Sequence, residues 1–269
     1  YKRQSLPTPT ASPTPIMTAT RTPGSGELAP LPTPDGRPRT ARVPILMYHY
    51  ISDPPAKADA YRLDLSVRPR ELEAQLAYLQ EAGFTSVSLY DLVRHLTVGR
   101  PLPPKPIILT FDDGYFDNYL YAFPLLRQYG FAGTFFVVTR FVDEARPGYM
   151  TWEQLEVMQA VGMDIESHSS THMDLRAQPA DALEQQIGHS RRALEDRLRK
   201  PVRFFAYPSG RYDGRTIQAL HAAGYWGAVT TAQGAAHSSV ALFELPRVRI
   251  HGGTSIDQFK ALIAYYTGV

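Results

Sequence analysis

The stretch Ile107-Ile108-Leu109-Thr110-Phe111-Asp112-Asp113-Gly114 decides how the rest of the chain is read. An apolar run of strand length drives into two adjacent carboxylates and then a glycine. Neighbouring side chains of a strand point to opposite faces, so Asp112 and Asp113 share a site only if the strand has already ended. On that reading they stand at the carboxyl end of a buried strand, where α/β enzymes gather their chemistry. Two like charges side by side also push their pKa values apart unless a cation intervenes. Taken alone, the same residues are what a strand-closing Asp-Gly turn asks for, so the surrounding chain has to choose.

Working outward, Val43-Pro44-Ile45-Leu46-Met47-Tyr48-His49-Tyr50 is an apolar run that ends in a histidine. Leu72, Leu76 and Leu79 fall at helical spacing between Pro69 and Gly83. Ser86–Leu89 reads as a short strand, and the residues from Asp91 to Val98 as a short helix. Beyond the opening stretch, a helix over 116–129 is closed by Gly130, and 132–138 is a strand buried on both faces. Thr151 and Gln154 have capping-box spacing, as do Ser255 and Gln258. Strands are expected at 163–168, 202–207, 225–230 and 248–250, with helices between them.

This alternation is the signature of a mostly parallel sheet with crossover helices. Roughly seven units in about 225 residues, with no Gly-rich dinucleotide turn, fit a closed barrel better than an open sheet. The fold class expected is therefore α/β: a distorted (β/α) barrel of about seven parallel strands with outer helices, over residues 44–269.

Residues 1–43 differ in kind. They are built from Thr-Pro, Ser-Pro and Gly-Ser pieces that cannot bury enough apolar surface to offset ordering entropy. A disordered linker or extracellular stalk is expected there, with a signal or anchor removed upstream of Tyr1 and a secreted or cell-surface location. This tract carries six Lys/Arg against two Asp/Glu, leaving 22 against 24 in the body. A near-neutral body argues against a nucleic-acid partner. No apolar run is long enough to span a membrane. The body is expected to be a monomer. Cysteine is absent from the sequence, so any metal must take His and carboxylate ligands.

Polar, ligand-capable groups gather at the strand exits: His49, Asp112-Asp113, His168 and the Pro208-Ser209-Gly210 turn. In a parallel barrel all of these lie at one end. His168-Ser169-Ser170-Thr171-His172 places two histidines where one helical turn or a tight loop lets them face one cation. With Asp113 they form a two-His, one-carboxylate set that leaves positions open for water and substrate.

Thr110-Phe111-Asp112-Asp113-Gly114, His168-Ser169-Ser170-Thr171-His172 and Phe205-Ala206-Tyr207-Pro208-Ser209-Gly210, in that order, resemble the first three motifs of the polysaccharide deacetylases, the NodB-homology or carbohydrate esterase 4 domain. The resemblance covers about residues 43–269. It implies metal-dependent removal of N-acetyl groups from glucosamine polymers such as chitin, peptidoglycan or biofilm poly-N-acetylglucosamine. It further implies Asp112 as general base and Asp113, His168 and His172 as ligands of one divalent ion, Zn²⁺ first, with Co²⁺, Ni²⁺ or Mn²⁺ as alternatives. Such an ion acidifies bound water and polarises the acetamide carbonyl. The Ser209 N–H in the Pro208 turn matches the family's oxyanion donor, and Tyr115, Pro208, Gly210 and Arg247 complete the candidate substrate and oxyanion contacts.

The chain departs from the commonest family pattern in two places. The opening Ile45-Leu46-Met47-Tyr48-His49 is similar to the circularly permuted branch, in which the first strand supplies the acid; His49 is therefore preferred over His251. Ala206 stands where many members carry a base-tethering Arg, and Arg203 has the wrong strand parity to replace it, leaving Arg247 or Arg249. The family's Asp-Trp motif is missing; Trp152 is read as either a sugar platform or a core residue. His95, His189, His221 and His237 are read as ordinary. Two other functions share these features: an O-acetyl esterase acting on xylan-like polymers, and a non-catalytic glycan-binding module.

Overall fold

The computed structural model describes residues 33–268. Most of the expected stalk therefore lies outside the described residues. Its last part does not: Thr40–Arg42 forms a strand paired antiparallel with Ala236–Ser238, so the ordered body begins a few residues before 44.

Seven parallel strands close into a barrel: β1 (Ile45–Tyr48), β2 (Pro106–Phe111), β3 (Thr134–Val137), β4 (Asp164–Ser167), β5 (Phe204–Ala206), β6 (Gly227–Gln233) and β7 (Leu245–Arg249). β2 through β6 pair in sequence order, and β7 pairs with β6. Closure comes from β1, which is hydrogen-bonded to β7 on one side and β2 on the other. The expected (β/α) barrel is what forms. Two boundaries differ most: the last strand runs from Leu245 rather than from 248, and the run Ser86–Leu89 is strand only at Thr85–Ser86, because Ser88 turns out of the strand to cap the helix Leu89–Val98.

Strand parity sorts the core into two parts. Leu46, Leu109, Phe135, Ile165, Phe205 and Val248 face outward onto helices, where they meet residues such as Leu72, Leu76, Leu126, Leu155, Leu194 and Phe259. The alternate residues Ile45, Ile108, Phe136, Phe204, Val229 and Leu245 come from six of the seven strands yet form one cluster. They must therefore point into the barrel. Leu92, Val93 and Leu96 of the helix Leu89–Val98 close that interior from below. Among the described residues, no helix is long and apolar enough to cross a membrane.

Following the inward parity upward leads to the mouth. Above Ile108 come Thr110 and Asp112, above Leu245 comes Arg247, above Ile45 come Met47 and His49, and on β4 Glu166 precedes His168. Residues up to 200 positions apart are thus stacked on one apolar plug with their polar ends at the strand exits.

Candidate active site

β2 ends at Phe111, and the chain then turns sharply: Asp113 has φ +74° and Gly114 φ +78°. The left-handed turn is what lets two consecutive carboxylates face one site. A side chain at Gly114 would start 3.2 Å from Val137 Cγ1, so glycine there answers both sterics and φ. Ser169, His172 and Ser209 also have positive φ, at 70°, 61° and 52°. Such backbone costs roughly 1–3 kcal/mol per residue and is held only where the surroundings over-determine it. Here four such residues stand at the exits of β2, β4 and β5.

The two carboxylates have different partners. Asp112, 2% exposed, accepts from Arg247 Nη1 at 2.8 Å and Nη2 at 2.6 Å. Arg247 is fully buried, and its remaining donors reach Thr110 Oγ1 at 3.0 Å and the Thr230 oxygen at 2.9 Å. Burial by itself would raise the Asp112 pKa, but the Arg247 guanidinium overrides it and holds the carboxyl below its ordinary value. Of the two arginines left open by sequence, Arg249 instead pairs with Asp64. Arg203 faces outward, to Glu195 on the helix His189–Leu198, as its parity requires.

Asp113 Oδ1 lies 3.3 Å from His168 Nε2 and 3.3 Å from His172 Nε2. The three ligand atoms are all within 4.8 Å of one another. Tetrahedral zinc bonds of about 2.0–2.1 Å imply ligand–ligand edges of about 3.3 Å, the spacing that Asp113 keeps to each histidine. The chemistry fits too. His168 Nδ1 is 2.7 Å from the Ala206 oxygen, which accepts only if Nδ1 carries the proton. In the neutral ring that leaves the Nε2 lone pair aimed at Asp113, an arrangement that asks for a cation between them. Burial pushes the Asp113 and His168 groups toward neutrality, but their mutual interaction wins in both: Asp113 is held well below the carboxylate range and His168 above its ordinary value. Burial dominates at His172 and lowers it.

The loop carrying these histidines is tight rather than helical, since both Ser169 and His172 break helical backbone. It is pinned by Gln186, whose Oε1 accepts from Thr171 N at 3.0 Å and Thr171 Oγ1 at 3.1 Å, and whose main-chain oxygen accepts from Ser170 N. Sequence reading missed Gln186, because nothing local links it to a loop fifteen residues away.

His49 stands at the β1 exit with Nε2 4.0 Å from Asp112 Oδ2. Burial lowers its pKa, against the pull of Asp112 and Asp113. His251 is elsewhere: its ring is 51% exposed and Nδ1 lies 2.7 Å from Asp64 Oδ1. Tyr115 follows the left-handed turn and stacks on Tyr50, 3.6 Å between centroids, with Tyr149 tilted against it at 5.2 Å. Pro208, Ser209 and Gly210 form the turn at the β5 exit, with Pro208 buried and Ser209 exposed. Trp152 is not a sugar platform. It is 8% exposed, and its indole donates to Asp143 at 3.1 Å. His237 is buried against the Val43 oxygen, and His95 is held by the Arg100 oxygen.

A family model described as polysaccharide deacetylase matches residues 99–228. YxkH of Bacillus subtilis, a protein named as a polysaccharide deacetylase, is 32% identical over 225 residues, covering 84% of this chain and 77% of that protein. A poly-β-1,6-N-acetyl-D-glucosamine N-deacetylase of Staphylococcus epidermidis is 26% identical over 220 residues, covering 76% of this chain and 73% of that protein. Among solved structures, the Streptococcus pyogenes deacetylase PplD in complex with acetate aligns with a TM-score of 0.77 at 30% identity, covering 84% of this chain and 99% of that one.

Proposed function

The chain belongs to the polysaccharide deacetylase family, and from that premise we propose that it hydrolyses N-acetyl groups on a polysaccharide of N-acetylglucosamine, with the β-1,6-linked polymer as first candidate. The observation that carries this reading is the meeting, at one barrel mouth, of an Arg-held carboxylate, a histidine beside it and a separate Asp-His-His set. A pure glycan-binding module has no use for a carboxylate kept ionised in a buried site.

Asp113, His168 and His172 would hold one divalent ion, zinc first among the candidates, and such an ion supplies Lewis-acid chemistry toward a water and an acetamide carbonyl. The remaining work falls to the chain itself. Asp112 accepts the proton of the attacking water, and the two-pronged Arg247 contact keeps it ionised and turned to the mouth. Main-chain N–H groups at Tyr115 and Ser209, on the strand-exit turns, are the proposed donors to the oxyanion. As the bond between carbonyl carbon and nitrogen breaks, His49 gives its proton to the sugar nitrogen, so that acetate and a free amine leave. Its place beside Asp112 suits a donor that is recharged from the base.

The Thr/Pro-rich composition of residues 1–43 supports an extracellular tether in front of this domain. The test is mass spectrometry of defined β-1,6- and β-1,4-linked N-acetylglucosamine oligomers, and of acetylated xylan, after incubation with zinc-loaded protein. Loss of acetyl mass from the β-1,6 oligomers supports the proposal; loss from xylan alone overturns it in favour of an esterase.

A further inference from the structure

Asn118, which none of the chemistry above uses, is fully buried at the head of the π-turn Asn118–Ala122. Wide turns of this kind recur at functional sites. The side-chain amide donates from Nδ2 to the main-chain oxygen of His49 at 2.8 Å and to Asp117 Oδ1 at 2.8 Å. The N–H of the same peptide unit, that of Tyr50, donates to the Leu65 oxygen at 3.1 Å. Because a peptide is planar, the His49–Tyr50 unit is gripped at both edges. That fixes ψ of His49 and, with it, the direction in which the imidazole leaves the main chain. Next to Asn118, Asp117 Oδ2 accepts from Ser52 Oγ at 2.7 Å. Two consecutive residues just beyond the Asp112-Asp113-Gly114 turn therefore hold the segment just beyond His49.

Asn118 Oδ1 is buried with no hydrogen-bond partner. An amide that leaves its own oxygen unmet while engaging its N–H groups is oriented by the groups it serves. Base and acid come from different strands, and Asn118 is the side chain that ties the turn after one to the peptide of the other.

We propose that Asn118 is a positioning residue: by holding the His49–Tyr50 peptide it aims the His49 imidazole at the mouth, where Nε2 lies 4.0 Å from Asp112 Oδ2. The inference rests on the reading of His49 as proton donor in deacetylation, and the test separates the two. Wild type, Asn118→Ala, Asn118→Asp, His49→Ala and the Asn118→Ala/His49→Ala double variant of the full chain are compared, zinc-loaded. Two reactions are followed: acetate release from N-acetylglucosamine oligomers and hydrolysis of para-nitrophenyl acetate. Nitrophenolate departs without a proton, so a misdirected acid shows only with the amide.

Asn118→Ala is expected to lower kcat on the oligomer by about 10- to 100-fold, the loss that a misplacement of about 1 Å produces, with KM little changed and a much smaller loss on the ester. Asn118→Asp keeps the shape but sets a carboxylate against the His49 oxygen, and is expected to be slower still on the amide; it also carries the comparison if the alanine variant does not fold. The double variant is expected to be no slower than His49→Ala. In metal-free protein with nitrogen-15-labelled histidine, the His49 ring resonance, recognised by its absence in His49→Ala, is expected to move in Asn118→Ala. Equal losses on amide and ester, or multiplied losses in the double variant, overturn the role of Asn118 while leaving His49 as the acid. A fully active His49→Ala overturns the acid assignment and the inference together.

Discussion

Replacing Arg247 by methionine removes the only cation hydrogen-bonded to Asp112 among the described residues while keeping an apolar stem in the barrel. The guanidinium gives up two charge-assisted bonds to Asp112, at 2.8 and 2.6 Å, and two further bonds to Thr110 and Thr230. Breaking a buried pair by deleting one partner costs about 3–5 kcal/mol, because the other charge is left uncompensated. The sign of the pH dependence follows from Asp112. In the wild type its folded pKa is depressed, so it contributes stability that is present above its unfolded value and is lost as pH falls through the folded one. In the variant burial acts against the carboxylate without the guanidinium, and the folded pKa rises above the unfolded value. The carboxyl then contributes stability below its unfolded pKa that is lost as pH rises through the new folded one. The gap between the two proteins therefore closes only at acid pH below the depressed wild-type pKa, widens steadily as pH rises, and reaches about 3–5 kcal/mol at neutral pH. At about 1.4 kcal/mol per pH unit, the same energy moves the acidic limb of the activity profile up by roughly two to four units. Urea unfolding from pH 4 to 8, beside acetate release over the same range, measures both. A stability gap independent of pH, or an acidic limb that stays in place, refutes the reasoning.

Asp112→Asn is expected to keep its zinc affinity, measured by calorimetry, while acetate release falls by about 10²–10⁴-fold; undiminished release would remove Asp112 as base. His49→Ala is expected to cost far more rate than His251→Ala, since His251 is tied to Asp64 outside the mouth; the reverse order would exchange their roles. His168→Ala is expected to weaken zinc binding by at least about 100-fold, and unaltered affinity would remove the Asp-His-His set as the metal site. Glu166, on the barrel interior, has its pKa pushed up to about 8 by burial, with the Phe204 N–H and Tyr90 hydroxyl pulling the other way. A folded pKa above the unfolded one gives stability that is full below about pH 4.5 and is lost as pH rises through about 8. Glu166→Gln should flatten the unfolding free energy across that window; an unchanged slope would show that the carboxyl is already ionised.

Much of this was legible in the sequence, for identifiable reasons. Alternating parity is a local rule, so the place of Arg203 in its strand is enough to turn it outward. Gly114 and the strand exits announced where the chemistry collects. What parity could not do was choose between Arg247 and Arg249, which share a face; only the level each reaches in the closed barrel sends one to Asp112 and the other to Asp64. Asn118 and Gln186 escaped notice because each serves a main-chain or loop group far away in sequence, and a lone amide in a helix carries no pattern. Ser88 has the pattern of a strand because it stands between the apolar Val87 and Leu89, whereas its hydroxyl caps the next helix by accepting from the Asp91 N–H. Trp152, open in the sequence between a sugar platform and a core residue, is core: its ring is buried and its indole N–H reaches the Asp143 carboxylate at the surface.

The way the barrel closes has a consequence for biosynthesis. The strand carrying His49 emerges first and the strand carrying Arg247 last, yet they are neighbours in the finished ring. Until the final strand is made, the nascent chain holds β1 and β6 as open edges able to pair with foreign strands. Asp112 likewise lacks its counter-charge until Arg247, 135 residues further along the chain, has been made. Such high sequence separation slows ring closure: a chain truncated before β7 is both unclosed and without the Arg247 contact to Asp112. Closure of the fold and the seating of Arg247 on Asp112 are one event.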